Sequence, residues 1–145
     1  KTSDYKMKKI LIVNASYYKD IANELVKSSS IILKKNKYKI SVLTVPGVFE
    51  IPVAIKKNIK KFDAFIALGC VIKGKTPHFD LICKSSFEAI MNLSISSSKP
   101  IGNGIITAFN KKQAIDRSGR ANSKNKGLEA AKAVMSILKN GPKKI

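Results

Sequence analysis

Residues 64–80 read AFIALGCVIKGKTPHFD. The first five form a short apolar run closed by Gly69, which reads as a buried strand. From Phe79 the pattern changes. Ile82, Cys83, Phe87, Ile90 and Leu93 recur on one face of a helix extending to residue 95. Between strand and helix lies a loop with Gly74, Lys75, Thr76 and His78, closed by Pro77 at a position where a helix tolerates proline.

The same alternation extends in both directions. Residues 9–13 (KILIV) read as a buried strand, and 18–35 as a helix with Ile21, Leu25, Ile32 and Leu33 inward. Residues 40–45 give a second strand. Residues 49–60 carry Ile51, Ala54, Ile55 and Ile59 at helical spacing. Residues 101–107 give a fourth strand. Asn110 then caps a short helix, with Gln113 three residues on in a capping-box-like arrangement. A last helix spans 126–138 and stops at Asn140-Gly141-Pro142. Near-continuous apolar strands alternating with helices predict an α/β fold whose parallel sheet is covered on both faces. Such sheets bind ligands beyond the carboxyl ends of their strands. That rule selects 14–18, 46–50, 69–80 and 107–110.

The 145 residues suit one domain. No apolar run is long enough to cross a bilayer, and the lysine-rich start lacks the apolar stretch of a signal peptide. A cytoplasmic protein is therefore expected. Cys70, Cys83 and the single His78 are too few for a structural zinc site, so two buried thiols and no metal are expected. The net charge of +19 invites a nucleic-acid reading. Only two of the 28 basic residues, Arg117 and Arg120, are arginines, and the lysines are scattered. Arginine is the residue that forks onto phosphates and guanine edges, so the charge reads as a solvated surface that attracts small anions.

Residues 69–76 also match G-x-x-x-x-G-K-[ST], the nucleotide-binding P-loop pattern. Three physical features oppose that reading. A P-loop needs Thr76 in the helix, yet the residue before Pro77 is pushed out of helical geometry. Val71 and Ile72 are stiff and β-branched, which suits an extended segment better than a curled phosphate cradle. No second strand ends in an aspartate that could hold magnesium, since Asp63 begins its strand. The loop still suits an anion, because Gly74 permits backbone approach and a helix N-terminus follows. His78, beside it at the end of a strand, reads as an acid/base group.

Three segments carry a resemblance to a family. Residues 45–52 (VPGVFEIP), 67–80 (ALGCVIKGKTPHFD) and 125–131 (NKGLEAA) closely resemble the 6,7-dimethyl-8-ribityllumazine synthases, in the family's order and spacing, and the likeness extends from about residue 9 to 138. The resemblance implies a three-layer, flavodoxin-like α/β sandwich on a four-stranded parallel sheet. It also implies the penultimate step of riboflavin biosynthesis. There 5-amino-6-(D-ribitylamino)uracil condenses with 3,4-dihydroxy-2-butanone 4-phosphate, an imine forms, phosphate leaves and the ring closes with loss of water. Such chemistry needs positioning and proton transfer, with no cofactor.

The resemblance also implies residue roles. Tyr17 matches the aromatic that stacks on the pyrimidine. Val48, Phe49 and Glu50 match the segment holding ring and ribityl chain, and Cys70, Val71 and Ile72 the stretch whose backbone binds the pyrimidine. Lys75 and Thr76 match the phosphate-binding pair, and His78 the proton donor. Arg117 matches the arginine that reaches the phosphate from a neighbouring subunit, and Lys126 a lysine near the pyrimidine and ribityl groups. Ordinary alternatives stand beside these: a packed aromatic for Tyr17, a helix-start acid for Glu50, and solvated charges for Arg117 and Lys126. Asn103 stands where many members have phenylalanine, Lys75 where many have alanine, and Tyr18 where asparagine is common. The segment 118–125 reads as one residue longer than the common form. The implied assembly is a homo-oligomer with sites between adjacent subunits, a pentamer favoured over a sixty-subunit shell, with riboflavin synthase as a protein partner.

Overall fold

The computed structural model describes residues 6–119 and 123–145. Four strands, β1 (Lys9–Ala15), β2 (Lys39–Val45), β3 (Ala64–Ile72) and β4 (Ile101–Ala108), form one parallel sheet in the order β2-β1-β3-β4. The helices are α1 (Lys19–Lys35), α2 (Ile51–Lys57), α3 (His78–Ser97), α4 (Lys111–Asp116) and α5 (Lys126–Lys139). A 3-10 turn, Val48–Glu50, leads into α2. The expected α/β alternation and parallel sheet are present.

The two-residue period of the strands divides the core into two layers. Ile10, Ile12, Ile66, Leu68 and Ile106 pack with Ile21, Leu25 and Leu33 of α1 and Ala130, Ala131 and Val134 of α5. Leu11, Val13, Phe65, Ala67 and Ile105 pack with Ile51 and Ile55 of α2 and Ile90 of α3. Each fully buried Ile or Leu of this kind contributes about 1.5–3 kcal/mol of transfer free energy. The edge strand β2 departs from the expectation of cover on both faces, because only Val45 of its seven residues is buried.

Two boundaries differ by more than two residues from the sequence reading. The third strand does not stop at Leu68. It runs through Gly69 to Ile72, pairing Gly69–Ile105, Cys70–Ile106, Val71–Thr107 and Ile72–Ala108 with β4. Gly69 is there for close approach, not for a turn: a β-carbon would sit 3.0 Å from Ala15 Cβ and 3.0 Å from Val48 Cγ2. Helix α2 ends at Lys57, three residues early, where the Asn58 amide donates back to the Ala54 carbonyl at 2.8 Å and closes the turn. The capping expectation is met. Asn110 accepts from the Gln113 amide at 2.9 Å, and Gln113 Oε1 accepts from the Phe109 N–H at 2.8 Å.

Candidate active site

The carboxyl ends of β1 and β3, the turn before α2 and the start of α3 enclose a cleft of about 480 Å3. It lies where a parallel sheet leaves room for ligands. β1 ends into Tyr17 and Tyr18, whose rings meet edge to face with centroids 5.0 Å apart. Tyr17 is 76% exposed. An aromatic ring so open, held on its neighbour, offers a face for stacking a planar ligand. Across the cleft, Gly47 adopts an extended conformation and the chain then tightens into the 3-10 turn. That turn buries Val48 and leaves Phe49 exposed.

The floor is the end of β3. Cys70 and Val71 are buried and Ile72 is half-buried, in an extended strand of the kind the β-branched pair favours. Lys73 continues it, donating its N–H to the Ala108 carbonyl at 2.9 Å. The curled P-loop is thereby excluded: the chain is extended over residues 70–72, and Thr76 precedes a helix that begins at His78. Pro77 occupies the N-cap position, and Leu81 N–H donates to its carbonyl at 3.1 Å. Thr76 Oγ1 accepts from the His78 N–H at 3.4 Å. That contact uses the hydroxyl as an acceptor, so its proton remains available to an anion at the start of α3. Gly74, Thr76 and His78 line this end of the cleft, with Lys75 exposed between them.

Cations gather on the rim. Lys111 Nζ lies 5.5 Å from the Tyr18 ring centroid, and Lys73 Nζ lies 5.6 Å from that of Phe109. Burial pushes the Cys70 thiol up to about 11, a shift that Lys111 partly offsets. The thiol therefore stays protonated near neutrality and is a poor nucleophile. Among the described residues, no group of three or more His, Cys, Asp and Glu is placed to hold a metal ion.

One cleft thus brings together Tyr17, Val48, Phe49, Glu50, Cys70, Val71, Ile72, Thr76 and His78. It does not bring in Asn103, Arg117 or Lys126, and Lys75 stands next to the cleft without lining it. Asn103 lies on edge strand β4, and its Oδ1 accepts from the Ile105 N–H at 3.1 Å. Arg117 caps the carboxyl end of α4, and its Nη1 donates to the Gln113 carbonyl at 3.3 Å. Lys126 begins α5 and pairs with Glu129 at 2.8 Å. Of the longer segment 118–125, residues 120–122 lie outside the described residues. Sequence reasoning missed Tyr18, Phe79 and Ile82 as cleft walls. The last two were legible as an i, i+3 pair on the first turn of α3, on the inward face.

An extended strand edge opposite an exposed aromatic, with an anion-suited helix start and a histidine at one end, makes an α/β cleft with a stacking face at one end and donors suited to an anion at the other. The sequence comparisons identify the kind. The family described as 6,7-dimethyl-8-ribityllumazine synthase matches residues 7–140. The lumazine synthase of Methylorubrum populi is 41% identical over 137 residues, covering 90% of this chain and 80% of the relative. Those of Bartonella bacilliformis and Agrobacterium fabrum are both 40% identical, covering 89% of this chain and 87% and 91% of themselves. The chain belongs to the 6,7-dimethyl-8-ribityllumazine synthase family, enzymes of riboflavin biosynthesis. Among the described residues no helix is long and apolar enough to cross a membrane.

Proposed function

We propose that this cleft is the active site in which 5-amino-6-(D-ribitylamino)uracil condenses with 3,4-dihydroxy-2-butanone 4-phosphate. The observation that carries this is the convergence of three separate segments, 17–18, 47–50 and 70–82, on one cleft, in a chain of this family. In this reading Tyr17 stacks on the pyrimidine, and the backbone of Cys70, Val71 and Ile72 reads its polar edge. Val48, Phe49 and Glu50 hold the ribityl chain. Lys75 and Thr76 bind the phosphate at the start of α3, where the helix dipole favours negative charge. His78 moves the proton as the amine adds to the carbonyl and phosphate departs.

Arg117, Lys126 and Asn103 enter in this reading from an adjacent subunit, Arg117 toward the phosphate and Lys126 toward the pyrimidine. Their absence from the single-chain cleft supports that division. So does α3, a twenty-residue helix with Leu81, Met91 and Ile95 all at least 60% exposed. Apolar side chains left open on one helix mark a surface that another chain covers. A pentamer of single-domain subunits in the cytoplasm, with riboflavin synthase as a partner, is the assembly we favour. The direct test mixes the two substrates with the protein and follows lumazine fluorescence. Product formation above the uncatalysed rate is expected, and none above that rate would refute the reading.

A further inference from the structure

Asn125 is fully buried and bonds through both ends of its amide. Oδ1 accepts from the Leu128 N–H at 2.9 Å and caps α5. Nδ2 faces three acceptors: Ser28 Oγ at 3.0 Å, the Ser118 carbonyl at 2.8 Å and the Gly119 carbonyl at 3.1 Å. A cap needs only the acceptor, which serine, threonine or aspartate would supply as well. The donor side is what asparagine adds, and it is spent on the two residues that follow Arg117. The next N–H in the chain, that of Lys126, donates to the Arg117 carbonyl at 2.9 Å. Three consecutive carbonyls, 117 to 119, are therefore held by the pair Asn125–Lys126. On the other side Arg117 is held by its N–H to Gln113 and Ala114, and Ser118 is buried with its hydroxyl on the Ile115 carbonyl at 3.2 Å. The guanidinium, by contrast, has one long bond among the described residues. The fixed backbone spares the arginine the cost of ordering its chain segment, and only one long bond must be given up when the guanidinium meets a phosphate.

We propose that Asn125 is a positioning residue for the butanone phosphate. It ties the Arg117 segment to α1 and α5 so that the arginine is presented in a set place. The proposal rests on the reading of Arg117 as a phosphate ligand. Asn125→Ser keeps an acceptor for the cap and replaces the amide's two N–H donors with one shorter hydroxyl that cannot span the acceptors at 118 and 119. We expect it to raise KM for the butanone phosphate about tenfold, with kcat and the pyrimidine KM within about twofold. Inhibition by inorganic phosphate should weaken in parallel. A merely structural role would lower kcat with the active fraction and leave both KM values alone, and that result would overturn the proposal. Arg117→Ala is measured beside it. If Arg117→Ala leaves the phosphate KM unchanged, the reading of Arg117 falls and the proposal with it. If Arg117→Ala raises it and Asn125→Ser does not, only the proposal falls. Should Asn125→Ser not fold, amide exchange of the wild-type protein decides. The Lys126 N–H must then be as protected as that of Leu128, and exchange at an open-loop rate would overturn the proposal.

Discussion

Replacing Gly127 by alanine sets two effects of opposite sign against each other. Gly127 is the second residue of α5, where alanine is the better helix former by at most about 1 kcal/mol. The added β-carbon, however, would lie 2.5 Å from the Leu25 carbonyl oxygen, 0.9 Å inside the 3.4 Å at which ordinary contact begins. That oxygen belongs to the backbone of α1, so relief requires moving a helix. Ser29 Oγ, which donates to the Gly127 carbonyl at 2.7 Å, would be displaced too, since it lies 3.1 Å from the new atom. Overpacking of this kind costs about 1–3 kcal/mol, and a strained buried hydrogen bond about 1 kcal/mol more. The steric loss wins, and Gly127→Ala should destabilise by about 1–3 kcal/mol net. Urea midpoints at one fixed protein concentration measure it, because any assembly shifts apparent stability by mass action. A variant as stable as the parent, or more so, would refute the packing of α1 against α5 described above.

Two further outcomes follow from local chemistry. Cys70 should react slowly with thiol reagents at pH 8 in a Cys83→Ser background and accelerate only as pH approaches about 11. Its folded form holds the proton longer than an unfolded thiol does, so its contribution to stability falls as pH rises from about 9 to 11. Urea midpoints read across that range check the sign. Asn110→Ala removes the cap of α4 and should cost about 1 kcal/mol, read in the same urea assay, with a loss below a few tenths counting against the cap.

The sheet was legible because its central strands β1 and β3 carry unbroken apolar runs, and KILIV at the start of β1 has few other uses. The end of β3 was harder to read. Gly69 looks like punctuation in a linear string, yet it is a strand residue kept small by Ala15 and Val48, a reason that exists only in three dimensions. The Val71–Ile72 pair did announce the extended segment that displaces the P-loop pattern. His78 and Thr76 were legible from the loop chemistry and Pro77. Tyr17, Glu50 and Arg117 were legible through family resemblance alone, since an aromatic, an acid and an arginine each have ordinary surface uses. Asn125 was quoted only as part of a motif. Its four partners come from α1, α5 and the loop after α4, and no local pattern foretells such convergence.

The cleft's two ends carry separate duties in this account: β3 and Tyr17 hold the ring, while the start of α3 handles phosphate and proton. Measuring kcat together with the dissociation constant of the pyrimidine substrate for His78→Ala tests that separation most directly. The account predicts turnover slowed by up to about a hundredfold, the low end for a positioned acid or base. It predicts pyrimidine affinity within about twofold of the parent. Pyrimidine binding lost in proportion to turnover would contradict it.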